Sequence, residues 1–187
     1  MDVTIIEEWG TVEPPPPPEV KPVQVSSKET ALLILDIQNQ NCNQQRPRCV
    51  KRIEQIRDLL MRAREKKMVI VYSVTRAAED KDIREEVKPE GELVVRAGVD
   101  KFYQTELEDI LRKNAIKKVI IVGTSAHGAV LHTATAAAAR SYEVIICVDG
   151  ISSGELFAEQ YTIWHIMNAP GTRRHAMITR TNLVYLE

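Results

Sequence analysis

Val119-Ile120-Ile121-Val122-Gly123-Thr124-Ser125-Ala126-His127-Gly128-Ala129-Val130 decides the fold of this chain. Four β-branched residues in a row suit a parallel strand covered on both faces, and residues 127–140 are alanine-rich enough to be helix. A buried strand therefore breaks at a glycine and opens directly into a helix. The turn points backbone N–H groups and the positive end of a helix at one spot, ready for an anion or a developing oxyanion. One turn into that helix, where a nucleophile would stand, the residue is Ala129.

Working outward, apolar runs at 31–36, 68–74, 93–96, 143–149 and 176–179 read as further strands. Helices fall between them. Val50, Ile53, Ile56, Leu60 and Ala63 recur at helical spacing, and residues 105–113 carry the stripe Leu107, Ile110, Leu111. Ser152-x-x-Glu155 has the form of a capping box, starting a helix that runs to about Asn168, before Pro170-Gly171. The charged segment 76–89 shows no apolar periodicity and reads as a short helix and a lid. Six strands alternating with helices predict an α/β fold: three layers, doubly wound, with a mostly parallel six-stranded, Rossmann-like sheet. Residues 1–28 hold five consecutive prolines at 14–18 and read as an extended arm, leaving 29–187 as the domain. The arm is either a semi-rigid tail, a peptide docked on a neighbouring subunit of a homo-oligomer, or a ligand for a proline-binding module.

Composition bounds the partners. At 187 residues and 44% hydrophobic the chain has the size and core of one domain. With 25 Lys plus Arg against 26 Asp plus Glu, no global field recruits nucleic acid or an anionic membrane, and no apolar run is long enough to span a bilayer. Three cysteines do not make a disulfide framework in a chain of this length, so a cytoplasmic protein is expected. Cys147 lies in an apolar run and reads as core filler. Cys42 and Cys49 flank an Asn/Gln-rich loop and read as an exposed thiol and a residue at a helix start.

Several chemistries lack their residues. There is no G-x-G-x-x-G and no G-x-x-x-x-G-K-[ST], so no nucleotide cofactor is expected. G-x-S-x-G is missing, and the four histidines show no H-E-x-x-H, so neither a hydrolase serine nor a metal is expected. Three strand ends remain: Asp36, Arg96 and the Gly123 turn. In a doubly wound sheet their carboxyl ends share one edge, where ligands bind.

Residues 31–39 (Ala-Leu-Leu-Ile-Leu-Asp-Ile-Gln-Asn), Val94-Val95-Arg96 followed by Phe102 and Thr105-x-Leu107, and residues 123–134 together resemble the isochorismatase-like (cysteine hydrolase) superfamily, in order and spacing, over residues 29–187. The resemblance implies a six-stranded parallel sheet, oligomers, and an Asp, a Lys and a Cys on three strand ends, with a cis peptide before the nucleophile's helix. Asp36 matches the acid, Arg96 stands at the lysine position and Ala129 at the cysteine position. Lys101 is nearby but out of register, since it directly precedes Phe102. The cis bond would fall at Thr124-Ser125, and Gln38, Phe102, Thr124, Ser125, His127 and Gly128 would bind a small-molecule substrate.

Three readings follow. Amidases of this superfamily need the thiolate, which a methyl group cannot replace. Isochorismatases hydrolyse a vinyl ether without it, using the aspartate as a general acid, and Ala126-His127-Gly128-Ala129 looks similar to their turn. The first reading is such a hydrolase, acting on a small anionic metabolite, with Asp36 as acid and Arg96 as carboxylate clamp. The second is a catalytically inactive binding or assembly protein. The third is an amidase whose cysteine has been replaced by Ala129.

Overall fold

A computed structural model describes residues 2–187. Its centre is two adjacent strands, β2 (Thr30–Leu35) and β5 (Lys118–Thr124), paired in parallel from Thr30↔Lys118 to Leu35↔Gly123. Both are apolar along nearly their whole length because both faces are covered. Around them stand β3 (Val69–Thr75), β4 (Leu93–Ala97), β6 (Glu143–Ser152) and β7 (Ala176–Thr179), giving a parallel six-stranded sheet of order β4-β3-β2-β5-β6-β7. Alternate residues feed two cores. Leu33, Val119 and Ile121 enter one, with residues of α3 (Leu107–Lys113), α4 (Leu131–Ala139) and α5 (Leu156–Asn168). Leu32, Ile34, Ile120 and Val122 enter the other, against Ile53, Ile56, Leu59, Leu60 and Ala63 of α2 (Ile53–Glu65). This is the three-layer α/β sandwich expected from the alternation of apolar runs.

Four details differ from the sequence reading. Residues 23–25 are not arm: Val23–Val25 forms β1, paired in parallel with β8 (Val184–Leu186) as a separate two-stranded sheet. The helix after Asp36 is split, α1 (Pro47–Val50) preceding α2, because Pro47 starts its own turn. The Ser152 capping box does not form. β6 runs on past a bulge so that Ser152 pairs with Thr124, and Glu159 instead accepts the Ser153 N–H at 2.9 Å. Cys42 and Cys49 are neither exposed nor free; both are buried and joined in a disulfide, with Cα atoms 5.2 Å apart. Seven residues of separation let the loop double back, and no count of cysteines could show that. Cys147 is buried and free, as its apolar setting suggested.

The charged segment 76–89 holds two one-turn 3₁₀ helices, Asp80–Asp82 and Glu85–Val87. Ile83 bridges to Gln38, and the Arg84 N–H donates to the Ile37 carbonyl at 3.0 Å. It is thus tied to the chain leaving Asp36.

Candidate active site

Asp36 follows β2 directly, with its N–H donating to the Ser73 carbonyl and a left-handed φ of 53°. That conformation is uncommon outside glycine, and Asp tolerates it better than most residues. It turns the chain sharply at the strand end. The carboxylate lies almost wholly buried and takes two donors: Ser73 Oγ at 2.8 Å on Oδ1 and Lys101 Nζ at 2.7 Å on Oδ2. Burial pushes the Asp36 carboxyl above its ordinary value, outweighing the Lys101 ammonium and the Ser73 hydroxyl, which pull the other way.

The lysine at this carboxylate is therefore Lys101, and Arg96 is elsewhere. Residues of β4 alternate, with Val95 and Ala97 inward and Arg96 outward on an edge strand. The Arg96 guanidinium reaches the Ala78 carbonyl and pairs with Asp80 at 2.5 Å, half exposed. Lys101 is fully buried, and Nζ also donates to the Gly98 carbonyl at 2.7 Å. Its loop is braced by α4: the Lys101 N–H donates to Thr133 Oγ1, whose hydroxyl donates to the Val99 carbonyl. Thr133 lies four residues after Ala129, so the two share a helical face and bring the loop and the turn together.

The turn itself needs its glycine. At Gly123 φ is +137°, and a Cβ there would lie 2.2 Å from the Leu35 carbonyl oxygen. The Thr124-Ser125 peptide is cis, where the resemblance puts it. Residues Ala126–Val130 then form one π-helical turn before α4, with Ala129 buried inside it. The Gly128 and Val130 N–H groups fold back onto the Ser125 carbonyl, so Gly128 has no free backbone donor for a ligand.

The remaining expected residues divide. His127 is exposed, its Nδ1 2.8 Å from Ser153 Oγ and 3.4 Å from Ser125 Oγ, while Ser125 is half-buried. Thr124 is buried and donates to the Ser152 carbonyl. Gln38 is buried, its side-chain oxygen accepting the Thr75 N–H and its nitrogen donating to Thr75 Oγ1, which makes it a brace for the loop. Phe102 is core: it packs against Tyr142 with ring centroids 6.0 Å apart and lies under the Arg140 guanidinium. Ser73 and Lys101 were not singled out. For Lys101 the available signal was the strand alternation that turns Arg96 outward; for Ser73 there was none, since it contributes through a neighbouring strand.

Comparison with known proteins agrees with this architecture. The isochorismatase domain model matches residues 30–178. The chain is 29% identical over 158 residues to a secreted isochorismatase effector of Verticillium dahliae, a match covering 73% of this chain and 80% of that protein. Its fold is similar to that of an isochorismatase family protein from Desulfovibrio vulgaris, with a TM-score of 0.74 and 20% identity over 82% of this chain and 95% of the other. It is similar also to N-carbamoylsarcosine amidase from Thermoplasma acidophilum, with a TM-score of 0.71 and 22% identity over 82% and 97% of the two chains. With the parallel sheet, the strand-end acid and a family match spanning most of its length, the chain belongs to the isochorismatase-like hydrolase family.

Proposed function

We propose that this protein hydrolyses a vinyl ether of a small anionic metabolite, with Asp36 as general acid and no covalent intermediate. The observation that carries the reading is the buried Asp36–Lys101 pair beside a cis turn whose nucleophile position is Ala129. An amide needs an attacking thiolate, which this turn lacks; an enol ether needs a proton on carbon, which a buried carboxyl can deliver. Protonation of the terminal carbon by Asp36 leaves an oxocarbenium ion. Water adds to that ion and returns a proton to Asp36, and the resulting hemiketal collapses to a ketone and the free alcohol. Lys101 holds the carboxyl in place and compensates the negative charge left after transfer. The amino end of α4 and the exposed His127 lie on the same sheet edge, which suits an anionic substrate.

The test is loss of an isochorismate-like absorbance on addition of protein. Turnover that disappears in Asp36→Asn supports the assignment, and turnover unchanged in that variant refutes it.

A non-catalytic binding role is the second reading, favoured by the near-complete burial of Asp36, Lys101 and Ala129. It predicts no turnover of vinyl ethers or amides by the wild-type chain. Native sequencing separates the amidase reading: a cysteine codon at 129 would restore it.

For compartment, the Cys42–Cys49 disulfide and the secreted relative favour an oxidising environment over the cytoplasm expected from cysteine count. No helix among the described residues is long and apolar enough to cross a membrane.

A further inference from the structure

The face least explained by the site is formed by α5 and the amino-terminal arm. Phe157, Tyr161 and Trp164 recur along one stripe of α5, all exposed, in a helix whose opposite side is packed in the core. Opposite them run prolines 14–18, and between arm and helix is an apolar cavity of about 630 Å³. The arm leaves it unfilled. Residues 2–19 are exposed throughout, Trp9 by 73%, and the backbone hydrogen bonds of residues 4–11 stay within that stretch. Soluble monomers rarely present a contiguous apolar surface of this kind.

We propose that this face is an interface between two copies of the chain, each laying its arm across the α5 of the other. Three observations select a second copy as the occupant. The first is area: the exposed apolar side chains of arm and α5 sum to on the order of 1,000 Å² per copy, with aromatics giving up to ~250 Å² each, which meets the ~800 Å² per partner of a stable interface. The second is chemistry. Aromatic-lined grooves bind extended proline segments, and this chain carries both halves of that pair, five prolines and the Phe157–Tyr161–Trp164 stripe. The third is charge: the arm holds Asp2, Glu7, Glu8, Glu13 and Glu19 with no Lys or Arg before Lys21, while Arg173, Arg174 and Arg180 are exposed beyond the carboxyl end of α5. A two-fold axis satisfies both halves at once, because each copy supplies one acidic proline arm and one aromatic face.

Glu159 gives the interface a link to the site. It lines the cavity, and it also binds the Ser153 N–H and the Arg48 guanidinium, while Ser153 Oγ contacts His127.

Sedimentation velocity of the full chain tests the proposal, with Phe157→Asp/Trp164→Asp, Trp9→Glu and Glu7→Lys/Glu8→Lys/Glu13→Lys variants checked for native circular dichroism. A dimer at micromolar concentration that becomes monomeric in the α5 and Trp9 variants, and whose Kd rises at least tenfold in the charge-reversed arm, supports it. A wild-type monomer at high micromolar concentration overturns it, as does a dimer indifferent to all three variants. A monomer that binds a fluorescent pentaproline peptide through Phe157 and Trp164 also overturns it, by making the occupant a foreign proline-rich partner.

Discussion

Lys101 Nζ sits 2.7 Å from Asp36 Oδ2, across 65 residues of sequence, and both groups are buried. A buried pair loses most when one member is removed, because the other charge is stranded. Lys101→Met should therefore lower kcat/KM by at least about 100-fold, in the range of a disabled acid catalyst, and destabilise the fold by about 3–5 kcal/mol. Arg96→Ala should leave turnover within about twofold and stability within ~1 kcal/mol, because the Arg96–Asp80 pair is solvent-exposed. Steady-state kinetics with urea unfolding of both variants decides which cation serves the site.

The raised value of the Asp36 carboxyl fixes a pH direction. Folding favours its protonated form, so the contribution is full at acid pH and is lost as pH rises through the elevated value. As a general acid Asp36 must hold its proton, so turnover should fall along that same alkaline limb. Ser73→Ala removes a hydrogen bond that stabilises the carboxylate. The limb should then move to higher pH with activity otherwise retained; a limb that stays put or moves down excludes Asp36 as the titrating acid.

Thiol chemistry reads the turn directly. Cys42 and Cys49 are bonded to each other, and burial raises the Cys147 thiol far above its usual range. Native, non-reduced protein should take up no iodoacetamide. Ala129→Cys should add a single reactive thiol, seen as one added carbamidomethyl group by intact mass, with labelling slowed by substrate. An unreactive Cys at 129 would mean that the site is sealed, as the binding-protein reading requires.

Removing the disulfide should cost about 2.5 kcal/mol, the chain-entropy value for so short a loop. Cys42→Ser/Cys49→Ser, unfolded in urea beside the wild type with and without reductant, measures it. Equal midpoints in all samples would show that the bridge does not form in solution.

The sheet was legible because burial on both faces leaves continuous apolar runs, and all six strands lie within a few residues of where those runs stand. Asp36 and the Gly123 turn were legible for the same reason, being where such runs stop. Lys101 was not. Its role depends on a loop that folds the chain inward between Gly98 and Phe102, held by Thr133 from a helix more than thirty residues on, and spacing along the chain carries no trace of that bond. The cysteines failed likewise: parity says nothing about a short loop closing on itself. The capping box was overridden because pairing Ser152 with Thr124 extends β6 through the residue that would have capped the helix.

Gly123 has a consequence for how this molecule can change over evolutionary time. With the Leu35 carbonyl where any side chain would have to go, the distance between the strand bearing Asp36 and the strand bearing the turn is set by an empty position. No other residue type can be sampled there without prising the two central strands apart. The loops at 39–49 and 76–92 are under no such restriction, since each is anchored at its base by backbone bonds such as Asn39 to Asp82. Descendants of this chain can therefore rewrite which molecule is admitted while inheriting the spacing of the reacting groups unaltered.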